Sequence, residues 1–241
     1  MVIINNLKFA ALIFILGFVG VISLLFMPLP QMSHNIPGHL APLLILINPT
    51  ILLLIASFLG AYLAPRINLQ APVLEALLLK KNISNLLMQP VRVGSIYGVS
   101  AGLLLKFLYA FAAPYLPETY IALTKSLYLS PLTKLLYGGI TEEILLRWGL
   151  MTVIAWMIWK IVKHQKDYVY ILAILFATGL FSLGHLPATY ALVSNITPTL
   201  LGYLIIGNML FGLIAGYLFW KYGLEAAICA HMACHLVLIC C

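Results

Sequence analysis

Thr141-Glu142-Glu143-Ile144-Leu145-Leu146-Arg147 brings two carboxylates and a guanidinium into an otherwise nearly uncharged sequence. Each acidic or basic residue at the centre of a membrane helix costs roughly 2.5–3.5 kcal/mol, so the three side chains, if unpaired, oppose insertion by about 8–10 kcal/mol. Glu143 and Arg147 are four residues apart, a spacing that lets them pair on one helix face. Glu142 lies about 100° further round the helix, off that face. The stretch therefore predicts one locally paired carboxylate and one that needs a different partner.

The composition predicts a polytopic membrane protein. The 241 residues are 63% hydrophobic and only 8% charged, with a mean hydropathy of +1.09, whereas soluble chains are about 25% charged. The net charge of +7 does not indicate nucleic-acid binding, because the Lys and Arg residues are scattered between apolar runs, as in cytoplasmic loops that face anionic lipid. The four cysteines lie in the last apolar segment without C-x-x-C spacing, which favours apolar packing over a disulfide framework.

The apolar runs predict an all-α fold, a helical bundle of about seven (six to eight) transmembrane helices in a single integral-membrane domain over residues 1–241. The run at residues 131–162 is too long for one upright helix and short for two, which leaves the count open by one. Gly138-Gly139 is a candidate break or close-packing point there. The predicted spans are residues 9–27, 41–64, 93–113, 131–162, 168–184, 198–220 and 223–239.

The basic loops predict the orientation. Lys80-Lys81 and residues 163–166 are expected on the cytoplasmic side, and the loops around His34 and Asn195, which contain no Lys or Arg, outside. The N terminus is then cytoplasmic. Between the second and third spans, apolar residues at 73–74 and 77–78 recur at helical spacing, which is typical of an interfacial helix, although a plain cytoplasmic loop fits equally.

Glycines and isolated charges within the spans carry weaker signals. Gly202, Gly207, Gly212 and Gly216 predict small faces for close helix approach. Two isolated charges do not require a functional role. Lys106, inside the third span, is expected to be a snorkelling or paired residue. Glu225 is expected to be an interfacial residue beside a turn, and that turn could also shape the floor of a cavity.

Ionisable residues accumulate in the C-terminal half, in or at the ends of apolar segments. Burying an ionisable side chain in a membrane is energetically costly, and six such residues are improbable if each is buried independently of the others. We therefore predict that these side chains share one interior cavity. His231 and His235 are four residues apart and face the same way, as do Phe181 and His185. The six ionisable residues are Glu142, Glu143, Arg147, His185, His231 and His235.

At these positions the chain resembles the CAAX-protease and bacteriocin-processing (CPBP) family of intramembrane proteases. That family has the ordered motifs E-E-x-x-x-R, F-x-x-x-H and H-x-x-x-N/D on successive helices. The corresponding residues here are Glu142-Glu143-x-x-x-Arg147, Phe181-x-x-x-His185 and His231-x-x-x-His235. The resemblance covers residues 131–241, the expected catalytic core, whereas the N-terminal helices at about residues 9–113 match only in being hydrophobic. The chain departs from the pattern at His235, where the family usually has Asn or Asp.

The resemblance implies an endopeptidase that cleaves membrane-associated or lipid-modified peptides within the bilayer. Glu142 and His185 would activate a water molecule, and His231 with His235 would hold the oxyanion. Glu143 and Arg147 would orient Glu142, and Phe181 would support His185. No cofactor is required by this mechanism, and no nucleic-acid partner is expected.

Three alternatives stay open at the level of sequence. The His235 departure permits a zinc-dependent protease whose ligands are Glu142, His185, His231 and His235, since His-x-x-x-His has the spacing of helical zinc ligands. Relatives that act as immunity or scaffold proteins make a non-catalytic role a second alternative. A proton-coupled transporter would also use buried Glu and His, but the two halves of the chain show no internal similarity.

Overall fold

The computed structural model describes residues 5–27, 41–126 and 130–240. His34, one of the predicted external markers, lies outside these ranges, as does Cys241. Within them the chain forms ten helices joined by short turns. They are α1 (Asn6–Ser23), α2 (Ala41–Leu63), α3 (Pro72–Leu78), α4 (Ser84–Ala112), α5 (Glu118–Ser126), α6 (Pro131–Val162), α7 (Asp167–Gly184), α8 (Leu186–Leu192), α9 (Pro198–Tyr222) and α10 (Leu224–Cys240).

The helices confirm the predicted membrane bundle. Six helical segments in the described ranges are long and apolar enough to cross a bilayer, and they contain α1, α2, α4, α6, α7 and α9. The apolar helix α10 is shorter, at 17 residues. The total agrees with the predicted six to eight spans. The third span begins at Ser84, well before the predicted residue 93, because Pro90 is accommodated within the helix.

Helix α6 runs unbroken through the stretch that carries the paired carboxylates. Its residues Lys134–Glu142 and Ile144–Met151 are π-helical, with hydrogen bonds between residues five apart. This conformation is rare in proteins, and where it occurs it is often at a functional site. The suggested break at Gly138-Gly139 is therefore wrong, and the close-packing alternative is correct. A Cβ atom on Gly138 would lie 2.5 Å from His235 Nε2, and one on Gly139 would lie 2.5 Å from Met232 Cγ. The two glycines let α10 approach α6.

Trp148 on α6 lies at the centre of the apolar core. Its side chain is fully buried and meets the rings of Phe9 and Phe219 edge-on, with centroid distances of 5.6 and 6.2 Å. Such aromatic pairs add about 0.5–1.5 kcal/mol beyond the area they bury. The N-terminal helices α1 and α2 thus pack against the helix that carries Glu142 and Glu143.

Glycines on α9 bring it close to α7. A Cβ atom on Gly212 would lie 2.5 Å from Thr178 Cγ2, and Gly216 has a similar contact one turn further on. The predicted close approach is confirmed for these two residues. It is wrong for Gly202 and Gly207, which face open space or ordinary van der Waals contacts.

Hydrogen bonds join the loops at one end of the bundle. Asn68 Nδ2 donates to Gln165 Oε1 at 2.7 Å, and Gln165 Nε2 donates to the carbonyl of Arg66 at 2.9 Å. Tyr170 Oη donates to the carbonyl of Ile67 at 2.8 Å. These contacts fix the loop after α2 to the loop between α6 and α7.

Glu225 joins the helix α3 to the start of α10. Its Oε1 atom accepts the backbone N–H groups of Val73 and Leu74, both at 2.9 Å, and its side chain is buried. A carboxylate at a helix N-terminus satisfies donors that the helix itself leaves unpaired. The structure confirms the helix suggested at residues 73–78. No pattern in the sequence predicts this contact, because the two segments are about 150 residues apart.

Candidate active site

A cavity of about 710 Å³ lies in one half of the bundle. Each surrounding helix contributes residues from the same end: α4, α7 and α10 from their C-terminal parts, and α6 and α9 from their N-terminal parts. Because successive spans run in opposite directions, this pattern places the cavity at a single end of the bundle.

The cavity brings together the side chains that sequence reasoning selected. Glu142, His185, His231 and His235 all line it, and so does Phe181. Glu142 comes from α6, His185 follows the last residue of α7, and the other two histidines lie on α10. A carboxylate and three imidazoles thus line the same cavity within an apolar bundle. This arrangement is expected if the polar side chains lower the energetic cost of burying one another in the membrane.

Glu143 lies behind the cavity wall, where it connects two partners. Its side chain has no exposed area. Oε2 lies 3.2 Å from Arg147 Nε, which confirms the ion pair predicted from the i,i+4 spacing, although the two atoms are not aligned as a hydrogen bond. Oε1 lies 2.8 Å from His231 Nδ1. Because an ionised carboxylate only accepts, Nδ1 carries the hydrogen of this bond. The resemblance implied that Glu143 orients Glu142, whereas the contact in this structure is with His231.

Arg147 extends from α6 to α9. Its Nη2 atom donates to the carbonyl of Gly212 at 3.3 Å, while Nη1 has no hydrogen-bond partner among the described residues. The guanidinium is almost fully buried. A buried charge with few partners depends strongly on its counter-ion, here Glu143.

The imidazoles of α10 are held by ring contacts. His231 and His235 stack with centroids 4.7 Å apart and planes 20° from parallel. Phe211 covers His231 at 4.2 Å. On the other side, the ring of His235 occupies the space that Gly138 leaves free. Neither ring can turn far without displacing a neighbour.

His185 lies at the junction of α7 and α8. Its Nδ1 atom is 3.0 Å from the carbonyl oxygen of Phe181, and the two rings meet edge-on at 4.4 Å. Since a carbonyl only accepts, Nδ1 is the donor in this bond, which leaves Nε2 of the neutral ring as an acceptor. The i,i+4 spacing of the two residues predicted this wall of the cavity.

Two lysines of the cavity were not selected from the sequence. Lys106 and Lys134 both line it, and neither forms an ion pair within residues 5–27, 41–126 and 130–240. Lys134 is close enough to His235 to act on it electrostatically. The position of Lys106 inside a span is the one signal in the sequence, and it predicted a snorkelling or paired residue, not a residue of the site. Nothing in the sequence distinguishes Lys134 from an ordinary residue at the start of a span.

The placement of the possible ligands bears on the zinc alternative. In the part of the chain that the structure describes, no group of three or more His, Cys, Asp or Glu side chains is placed to hold a metal ion. The bond between His231 Nδ1 and Glu143 leaves Nε2 as the nitrogen that could face a metal ion, and such a carboxylate–histidine pair is common at metal sites. The metal-free mechanism stays a prediction, and substitution of His235 tests it.

Apolar spans around a carboxylate–imidazole site define a multi-pass integral-membrane protein with an internal polar centre. Comparison with known families then identifies the group. The chain belongs to the Rce1-like family, described as type II CAAX prenyl endopeptidase Rce1-like, which it matches over residues 107–237, more than half of its length. The resemblance to CAAX-type intramembrane proteases that the three motifs carried is thereby confirmed. Among curated proteins and solved structures, none matches the chain.

Proposed function

We propose that this protein is an intramembrane endopeptidase whose nucleophile is a water molecule activated by Glu142 and His185. The observation that carries the proposal is the convergence of Glu142 and three histidines on one cavity of a chain in the Rce1-like family. Peptide hydrolysis needs a base for the water and donors for the oxyanion, and this set of side chains contains both.

Glu142 suits the role of general base. Among the described residues it is the only carboxylate that lines the cavity, and none of their Lys or Arg side chains forms an ion pair with it, whereas Glu143 is paired with Arg147. His185, with Nε2 free to accept, stands at the same cavity and would hold the water or pass its proton to the leaving amine.

The two stacked histidines suit the role of oxyanion donors. A doubly protonated His231 would donate one N–H to Glu143 and the other to the oxyanion. The anionic Glu143 would stabilise that form of the ring. His235 would add a second donor, in place of the Asn or Asp that is usual in this family.

The cavity walls favour a membrane-associated peptide as substrate. The family description names a prenyl endopeptidase, which supports a lipid-modified peptide. Apolar residues such as Leu24, Leu105 and Leu238 would contact its apolar parts, and Lys106 and Lys134 would favour negative charge on the peptide. We also place the N terminus on the cytoplasmic side, as the basic loops indicate.

Glu142→Gln tests the proposal, because the amide keeps the shape but cannot accept the proton. We expect membranes that contain the wild-type protein to show new peptide termini that are missing with Glu142→Gln, at equal abundance of the two proteins. Glu118→Gln is the matched control, since Glu118 is exposed on α5. It should retain the wild-type termini. Identical termini with all three proteins would contradict a protease and favour the immunity or scaffold alternative.

A further inference from the structure

The charges of the bundle are concentrated at the end opposite the cavity. Of the 13 Lys and Arg residues, nine lie at that end: one at the start of α1, one after α2, two after α3, one in the first part of α4, three around the end of α6 and one at the end of α9. The inter-loop bonds of Asn68, Gln165 and Glu225 are at the same end. We call it the basic end.

The other end has only three basic residues, and two of them belong to the cavity. They are Lys106, Lys125 and Lys134, of which the first and last line the cavity. Lys106 and Lys134 lie at the end that is otherwise poor in basic residues, and their place in the cavity accounts for them. The remaining cation, Arg147, lies in the interior beside Glu143.

Basic residues in short loops and near span ends determine which side of a bundle faces the cytoplasm. With nine against three, the basic end is the cytoplasmic one. The cavity is formed by the last part of α4, α7 and α10 and the first part of α6 and α9, which all lie at the opposite end.

We infer that the cavity opens on the non-cytoplasmic side of the membrane and that its peptide partner reaches it from that side. The partner is then a segment presented at the outer face, either exported or attached to the bilayer with its cleavage site across the membrane. That the bound peptide is cleaved rests on the proposed function, whereas the side from which the cavity is reached does not.

The residues that line the cavity at this end of the bundle have the character of an interfacial site. Leu24 and Met27 at the end of α1 supply apolar surface, and Tyr109 and Tyr120 supply amphipathic rings. Lys106 and Lys134 place cations beside them. Tyrosines and lysines near span ends are typical of the level of the lipid headgroups, where a peptide that emerges from the membrane would be met.

Single-cysteine labelling tests the side of the cavity. Thr119 and His164 are both exposed, Thr119 beside the cavity residue Tyr120 and His164 at the basic end. On a background in which the four native cysteines are serine and the protein keeps its wild-type abundance in the membrane, an impermeant maleimide should label Thr119→Cys in intact cells. It should label His164→Cys only after permeabilisation. The reverse result would overturn the inference.

Two further readouts test access to the cavity itself. Met27→Cys, on the cavity wall, should react with a small impermeant thiosulfonate in intact cells; reaction only after permeabilisation would overturn the inference even if Thr119→Cys behaves as expected. The Glu142-dependent termini should fall in non-cytoplasmic segments of their parent proteins, and cytoplasmic termini would contradict the inference. Labelling requires no catalysis, so failure of the inferred side is distinguishable from failure of the proposed function, which would show as the absence of Glu142-dependent termini.

Discussion

Removal of the negative charge at Glu143 should destabilise the protein more than any other single isosteric change in the site. Glu143 is fully buried and contacts both Arg147 and His231. In Glu143→Gln the amide oxygen can still accept from His231, but Arg147 is left as an unpaired cation inside the bundle. Breaking a buried pair in this way costs about 3–5 kcal/mol, a large part of a total stability of about 5–15 kcal/mol. At about 2–4 °C per kcal/mol, Tm should fall by roughly 6–20 °C.

Thermal unfolding of the detergent-purified protein measures this effect, and Glu142→Gln is the matched control. Glu142 lines the cavity and has no cationic partner within ion-pair distance among the described residues, so its amide variant should stay within about 2 °C of wild type. The double variant Glu143→Gln/Arg147→Met should regain much of the lost stability, because it removes the unpaired charge. Wild-type stability in Glu143→Gln, or a double variant as unstable as the single one, would refute the reasoning.

Three further predictions concern other parts of the molecule. His235→Asn should keep substantial activity because Asn supplies amide donors, whereas His235→Ala should lose about 10²–10³ in rate, as for a missing oxyanion donor. Gly212→Ala should lower the free energy of unfolding by about 1–3 kcal/mol, because its Cβ would lie 2.5 Å from Thr178 Cγ2. In contrast, Gly202→Ala, which meets open space, should raise it by up to about 1 kcal/mol. Lys106→Met should raise KM for an acidic peptide about tenfold, equivalent to roughly 1.4 kcal/mol, with kcat little changed.

Each of these predictions has a contradicting outcome. Activity should be measured in chelator with elemental analysis for zinc, and loss of activity in both His235 variants, with zinc restoring the wild type after chelation, would favour the metal alternative. Equal unfolding energies for the Gly212 and Gly202 variants would show that the α7–α9 contact is not tight. A neutral peptide is the control for Lys106→Met, and an equal rise in KM for both peptides would exclude an electrostatic role.

Local geometry accounts for what the sequence predicted well. The Glu143–Arg147 pair follows from the four-residue spacing alone, and the structure has it at 3.2 Å. The prediction of one shared cavity followed from the cost of intramembrane polar groups, and Glu142 and the three histidines do line one cavity. Their individual catalytic roles stay predictions.

Contacts between distant segments account for what the sequence did not predict. The Glu143–His231 bond joins residues 88 apart and depends on how closely α10 packs against α6. The Lys106 side chain could have faced lipid or the interior, and only the placement of α4 against α9 and α10 decides between them. The π-helical path of α6 has no compositional signal, since the same residues would suit an ordinary α-helix.

The inter-loop bonds at the basic end have a mechanical consequence. They fix that end, with Gln165 joined to the loop after α2 and Glu225 joined to α3, so any tilt of the spans would be largest at the opposite end, where the cavity lies. The 25 residues of α9 extend over about 37 Å, and a tilt of about 5° at the pivot moves the opposite tip by about 3 Å. A tilt of that size would widen the cavity by about 3 Å while moving the atoms at the fixed end much less.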